Sequence, residues 1–284
     1  MKQTEKVILV TGASSGIGFD AARALALRGH RVYAAARRVE LMEPLKELGV
    51  KVLRMDVTDG QSMSEGVDSL LQAEGRVDVL VNNAGYGYFG AVENVSMEEA
   101  RRQLEVNVFG LARLCQLVLP AMRRQGSGRI VNTSSIAGRA VFYMGAWYNV
   151  TKYAVEALSD ALRMEVRPFG IDVVLIEPGP IKTDWGLIAA RHLEESSGGT
   201  PYEPQAAPWV STMRWAYESN LFSGPQVITR AVCRAVDSRR PRTRYCRGRG
   251  AHVALFLHAL LPTRCWDALM RRMAGLRLGK GDKG

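Results

Sequence analysis

Tyr148 and Lys152 stand four residues apart in the stretch SSIAGRAVFYMGAWYNVTK, residues 134–152. On a helix that spacing stacks a phenol and an ammonium on one face. A free tyrosine loses its proton only near pH ~10 and is a poor acid-base group at neutrality. A fixed cation beside it favours the phenolate, which predicts a lowered pKa and a proton usable in catalysis. Ser135 lies thirteen residues before Tyr148, at the end of the apolar run IVNTS. That run reads as a buried strand, so the hydroxyl can reach the same substrate oxygen. Taken alone, a Tyr-x-x-x-Lys pair fits an exposed helical face equally well. The elements around it decide between the two.

Residues 6–10 (KVILV) form an apolar run followed at once by TGASSGIG, and the amphipathic stretch to Arg28 stops at Gly29. Strand, glycine turn and helix are the context of a phosphate-cradling loop. Gly12 and Gly16 allow a tight turn and a close approach, Gly18 permits close helix–strand packing, and the helix N-terminus favours an anion. The spacing is G-x-x-x-G-x-G, not the commoner G-x-G-x-x-G. The next strand, Arg31–Ala36, ends without the acidic residue that NAD-binding folds use for the adenosine ribose, and Arg37-Arg38 follow. Guanidiniums suit a 2′-phosphate that a carboxylate would repel, so this corner points to NADP(H).

The alternation continues with a helix around Val39–Leu48, a strand at Lys51–Met55 leading into Asp56-Val57, and a helix over Gln61–Glu74. A strand at Asp78–Val81 precedes Asn82-Asn83-Ala84-Gly85, and a long helical segment from Met97 to Arg124 carries Asn107. The strand Arg129–Thr133, the Tyr148 helix to Arg167, and the strand Ile171–Ile176 closing at Glu177-Pro178-Gly179-Pro180 complete the pattern. Six or seven strands alternating with helices predict an α/β, Rossmann-type doubly wound parallel sheet. Ligands of such sheets bind beyond the carboxyl ends of the strands. Gly12, Arg37, Asp56, Asn82, Ser135 and Pro178 all fall at such ends.

With these motifs in view the chain resembles a classical short-chain dehydrogenase/reductase over residues 5–185. TGASSGIG, NNAG, the Asn107 helix, the Ser–Tyr–Lys set and the PGP-x-x-T turn occur in family order and at family spacing. The resemblance implies a catalytic tetrad of Asn107, Ser135, Tyr148 and Lys152. Tyr148 would be the general acid/base and Ser135 would hold the substrate oxygen. Lys152 would contact the nicotinamide ribose and lower the tyrosine pKa, while Asn107 positions a water in a proton relay. It also implies that Gly12, Ser14, Ser15, Gly16, Ile17, Gly18, Arg37 and Arg38 hold the pyrophosphate and 2′-phosphate ends. Asp56 and Val57 would flank the adenine, and Asn83, Ala84 and Gly85 would line the cofactor groove. Pro178, Gly179, Ile181 and Thr183 would meet the nicotinamide carboxamide. Some NADP-dependent members carry a basic residue just before the second glycine of the turn. Here it is Ser15, so the NADP reading rests on Arg37, helped by Arg38.

The 284 residues carry 47% hydrophobic and 23% charged side chains, an ordinary globular balance. The four cysteines, Cys115, Cys233, Cys246 and Cys265, show no metal-ligand spacing and read as reduced thiols. The N-terminus has no signal-peptide h-region, and no uncharged apolar stretch reaches the ~18 residues of a membrane span. A cytoplasmic protein is expected. From Pro225 onward there are 14 Lys+Arg and 3 Asp+Glu, a net of +11 against +10 for the whole chain. The basic character therefore belongs to the tail.

Two units are expected: a catalytic domain over residues 1–250, with a substrate lid at 184–224, and a basic helical extension at 251–284. The lid reads as a long loop rich in aromatics, Trp185, Tyr202, Trp209, Trp215, Tyr217 and Phe222. These suit either a bulky apolar substrate or plain packing onto the body. The stretch 152–180 and the tail most resemble the hydroxysteroid and retinol dehydrogenase branch, which implies a lipid-like ketone or alcohol. Trp266, Leu269, Met270 and Met273 share one face of a basic amphipathic helix. That face either packs on its own subunit or a partner, the preferred reading, or lies on an anionic membrane. No nucleic-acid-binding module is present. His192, His252 and His258 suggest no role. A homodimer or homotetramer is implied by the resemblance, and the alternatives to a soluble reductase are a membrane-surface reductase of a phospholipid precursor or a non-catalytic NADPH sensor.

Overall fold

The computed structural model describes residues 5–219 and 221–276. The apolar runs become seven parallel strands: β1 (Val7–Thr11), β2 (Arg31–Ala36), β3 (Lys51–Arg54), β4 (Val79–Asn82), β5 (Gly128–Thr133), β6 (Ile171–Pro178) and β7 (Arg244–Arg247). They form one sheet in the order β3-β2-β1-β4-β5-β6-β7. The register pairs Val10 with Ala34 and Val81, and Val131 with Val81 and Val174, so the strand ends lie level along one edge. The order reverses between β1 and β4. A Rossmann-type sheet opens its ligand crevice at that reversal.

Helices α1 (Gly16–Ala26), α2 (Glu43–Lys46), α3 (Gly60–Glu74), α4 (Met97–Leu104), α5 (Gly110–Gln125), α6 (Ala146–Val166), α7 (Asp184–Ser197), α8 (Glu203–Glu218), α9 (Gln226–Asp237), α10 (Ala251–Leu260) and α11 (Thr263–Met273) complete the described chain. One core layer packs α1 and α9 on one sheet face, through Leu25, Val232 and Val236 against Ile8, Val10 and Val174. The other packs α3, α5 and α6, through Leu70, Leu114, Val118 and Val155 against Leu9, Leu80 and Ile130. Both faces are therefore covered, which is why the strands read as continuous apolar runs. The run Met97–Gln125 is long and apolar enough to cross a membrane by length and composition. Here it lies in the second core layer through Leu111, Leu114 and Met122.

Some boundaries differ from the sequence reading. The stretch expected as a helix at Val39–Leu48 is a 3-10 turn followed by a single α-turn, because Pro44 sits at its start. The last strand, expected from the sequence at Arg242–Cys246, runs Arg244–Arg247. The larger correction is the lid. Residues 184–218 are two helices, α7 and α8, joined at the Gly-rich turn, where a loop was expected. The apolar face of α11 is buried through Trp266 and Met270 against Ala140 and Phe142. Of the basic tail, Arg277, Lys280 and Lys283 lie outside the described residues.

Candidate active site

At the reversal, Thr11 closes β1 and ties the two halves of the sheet. Its hydroxyl accepts the Asn83 and Ala84 backbone N–H groups at 3.1 and 3.2 Å. The Asn83 amide donates back to the carbonyls of Thr11 and Gly12 at 3.2 and 3.3 Å. Gly12 has φ +64°, and a Cβ there would lie 2.7 Å from the Ala84 Cα. A Cβ on Gly18 would sit 2.4 Å from the Gly12 carbonyl oxygen. Gly16, φ +56°, faces open space, with Thr183 the nearest neighbour at 3.9 Å. Ser14 is half-buried and Ser15 exposed, Ser15 is extended at the α1 N-cap without a capping bond, and the first turn of α1 holds no acidic residue. Ile17 anchors that turn to the core.

The neighbouring strand ends supply the rest of the crevice. Arg37 and Arg38 are exposed after β2, and Arg38 reaches the Ser14 hydroxyl at 3.4 Å. Asp56, after β3, is fixed by accepting the Thr58 N–H and hydroxyl at 3.0 and 2.8 Å. Val57 is held by α5, whose Gly110 passes so close that a Cβ would lie 2.2 Å from the Val57 carbonyl oxygen. Bare helix N-terminal N–H groups, glycines and two guanidiniums fit an anionic nucleotide along this edge.

The acid-base groups gather at the ends of β4, β5 and β6. Tyr148 and Lys152 lie on α6, with the ammonium 5.8 Å from the phenol ring centre. Lys152 donates to the Thr133 carbonyl at 2.9 Å. The Ser135 hydroxyl donates to the Pro178 carbonyl at 3.3 Å and accepts the Ala137 N–H at 3.1 Å. Asn107 sits in a π-helical turn, Glu105–Phe109, between α4 and α5. Such turns often mark functional sites. Its amide bridges the Tyr86 carbonyl at 2.8 Å and the Thr151 hydroxyl at 3.1 Å, which joins the helical hinge to α6. Gly85 lies between these groups: a Cβ there would be 3.0 Å from the Asn107 Oδ1 and 3.8 Å from the Lys152 ammonium. Gly179 donates to the Arg247 carbonyl at 2.7 Å, Ile181 pairs with Ser223, and Thr183 caps α7. All the residues singled out in the sequence thus lie along one edge.

Burial sets the electrostatics. It pushes the Tyr148 phenol up to about 12, opposed only by the Ser135 hydroxyl. The lowering expected from Lys152 does not appear, and burial holds that lysine itself down to about 8. Both shifts disfavour charge in a site from which water is excluded.

Trp185 is among the lid aromatics singled out in the sequence, whereas Phe89, Asn149 and Met144 give no signal there. Phe89 and Trp185 pack against Tyr148, with ring centres at 5.8 and 4.9 Å. Trp185 sits on Gly87, where a Cβ would come 2.3 Å from its ring. Buried Asn149 donates to the Ala137 and Ala140 carbonyls at 2.8 and 3.0 Å, pinning the loop before α6. In that loop Met144 adopts φ +55° and accepts the Gly90 N–H at 2.8 Å. His192 stacks on Tyr88 at 4.5 Å.

A sheet of this order with a Ser–Tyr–Lys cluster at its carboxyl edge defines an oxidoreductase of the short-chain dehydrogenase class, acting on CH–OH and C=O groups. The short chain dehydrogenase family model matches residues 6–189, and the chain belongs to that family. It is 36% identical to a probable short-chain type dehydrogenase/reductase, VdlC, of Helicobacter pylori, over 93% of this chain and 96% of that protein. It is 38% identical to the 3-ketodihydrosphingosine reductase of Bacteroides thetaiotaomicron, over 83% and 85% of the two chains. Among solved structures, a short-chain dehydrogenase from Streptomyces avermitilis superposes with a TM-score of 0.78 at 35% identity, covering 96% of each chain.

Proposed function

We propose that this protein is an NADP(H)-dependent oxidoreductase that reduces a bulky, lipid-like ketone, or oxidises the corresponding secondary alcohol. The observation that carries the reading is the Ser135–Tyr148–Lys152 cluster beneath Trp185 and Phe89, beside the glycine turn. When bound, the nicotinamide exchanges hydride with the carbonyl carbon. Tyr148 gives its proton to the carbonyl oxygen in reduction and takes it back in oxidation, while Ser135 holds that oxygen. Lys152 steadies the phenolate that forms, and Asn107 keeps the α4–α5 hinge against α6. Arg37 and Arg38 support NADP(H), because guanidiniums at that strand end match a 2′-phosphate.

The aromatic wall over Tyr148 supports an apolar substrate, and the similarity to a 3-ketodihydrosphingosine reductase favours a ketone on a lipid-like molecule. The test is oxidation of NADPH and NADH against steroid, retinoid and long-chain ketones beside small aldehydes. Turnover of a bulky ketone with NADPH is expected. Binding of NADPH without turnover of any of them would favour the sensor alternative. Arg37→Asp should weaken NADPH at least tenfold more than NADH, and equal losses would remove the basis of the cofactor assignment.

One observation favours a second reading, reduction of a lipid at a membrane surface. Val253, Phe256 and Leu260 line one side of α10 and are 60%, 64% and 66% exposed. An apolar stripe in a basic tail suits an anionic bilayer. Sedimentation with anionic vesicles should then fall sharply for F256D. Equal sedimentation of both proteins would return the enzyme to solution. Exposed Phe109, Val150 and Tyr153 on the π-turn and α6 support pairing of two subunits there.

A further inference from the structure

We propose that a buried ion network behind the active site, with Glu156 and Glu177 bridged by Arg244, positions Lys152 and the Ser135 turn and supplies the negative field that the Lys152 ammonium faces. The proposal rests on the reading of Lys152 as a catalytic group.

Glu177 is fully buried and Glu156 nearly so. Arg244, opening β7, places its Nε 3.0 Å from Glu177 Oε1 and its Nη2 3.1 Å from Glu156 Oε2 and 2.6 Å from Asp160 Oδ2. Arg139 adds a contact to Glu177 Oε2 at 3.3 Å. Three members, Glu156, Glu177 and Arg139, adjoin the site through the backbone. Glu156 is one helical turn beyond Lys152 on α6. Glu177 directly precedes Pro178, whose carbonyl accepts the Ser135 hydroxyl. Arg139 ends the 3-10 turn that Ser135 begins. Gly138 lets this turn seat on α6, since a Cβ there would come 2.7 Å from the Lys152 carbonyl and 2.8 Å from the Glu156 Cγ.

Two buried carboxylates repel each other, and burial raises the Glu156 carboxyl while Glu177 adds to the effect. Ser134 and Arg244 oppose that rise. Glu156 is in turn the charge that draws the Lys152 value upward against burial. The groups facing this pocket are the carboxylates Glu156, Asp160 and Glu177 and the guanidiniums Arg139, Arg163 and Arg244, with the Cys246 thiol at its rim. Losing Arg244 should favour the neutral form of Glu156 and so weaken the negative charge beside Lys152. Arg244 lies well beyond residues 6–189, the part of the chain that the family model matches. Glu156 and Arg244 are positioning residues, acting through Lys152 and Ser135.

The test is a pH titration of the Lys152 Nζ by 15N NMR on the ligand-free full chain, assigned with K152R, alongside the pH profile of kcat/KM. E156Q, nearly isosteric, should move the Lys152 midpoint and the alkaline limb down by about one pH unit. R244M should move both in the same direction, R244K less, and the double variant E156Q/R244M should add little to either single change. Should R244M fail to fold, E156Q carries the test alone. An unmoved Lys152 midpoint in E156Q overturns the proposal, whatever happens to stability. A moved midpoint without turnover of any ketone supports the network and counts against the reductase reading. Turnover with an unmoved midpoint and limb does the reverse.

Discussion

Tyr148 and Lys152 are displaced in opposite directions by one cause, burial, which disfavours the phenolate and the ammonium alike. The consequence for pH dependence has a definite sign. With its value up at about 12, Tyr148 keeps its proton at neutral pH and is ready to give it in ketone reduction. Lys152, down at about 8, is cationic below that pH and loses its charge above it. The kcat/KM for reduction should therefore be level below pH 8 and fall above it, by about tenfold per unit. A profile level through pH 10 would place the limb elsewhere. Tyr148→Phe should lower kcat/KM by roughly a hundred- to ten-thousand-fold, with NADPH binding by fluorescence retained. A retained rate would remove Tyr148 from the proton transfer.

At the scale of elements, the lid decides what reaches Tyr148. Helix α7 opens with Trp185, which lies over Gly87 and against the phenol, while Ala189, Ala190 and Leu193 behind it pack on Ala206 and Val210 of α8. Trp185→Ala should raise KM for a bulky ketone roughly tenfold and leave small aldehydes nearly unchanged. Equal effects on both would assign Trp185 to packing alone. The lid also marks where the sequence ceased to be readable. Glycine turns, strand-end residues and the Tyr–Lys spacing are local patterns, and they located the sheet edge residue by residue. The lid segment carries SSGGTP at its middle, with Pro204 and Pro208 following, a run that reads as a loop. Pro204 lies in the first turn of α8, where a missing N–H loses nothing, and Pro208 follows one turn later. The partners of Tyr148 and Lys152 were invisible for another reason. Phe89 and Arg244 meet the site only through tertiary contacts across long sequence separations, and no spacing rule reports those.

At the scale of the molecule, the two variable elements grip one short loop from opposite sides. From the lid, Trp209 donates to the Tyr143 carbonyl at 3.1 Å and Gln205 accepts the Tyr143 hydroxyl at 2.5 Å. From the tail, Trp266 is buried against Ala140, donates to the Val141 carbonyl at 2.9 Å and meets the Phe142 ring edge-on at 6.4 Å. This loop runs straight into α6 and Tyr148, so the C-terminal helices reach Tyr148 through residues 140–145, while Ala251 of α10 lies against Gly179. Trp266→Ala should then do two things at once. Removing a buried indole should destabilise the fold by about 3–5 kcal/mol, a fall in Tm of roughly 10 °C. It should also lower kcat/KM at temperatures well below the transition, because Met144 loses the support that holds it at φ +55°. Exposed Arg272→Ser on the same helix should change neither. A Trp266→Ala enzyme with a lower Tm and an unaltered kcat/KM would make the tail a stabilising clamp with no hold on Tyr148.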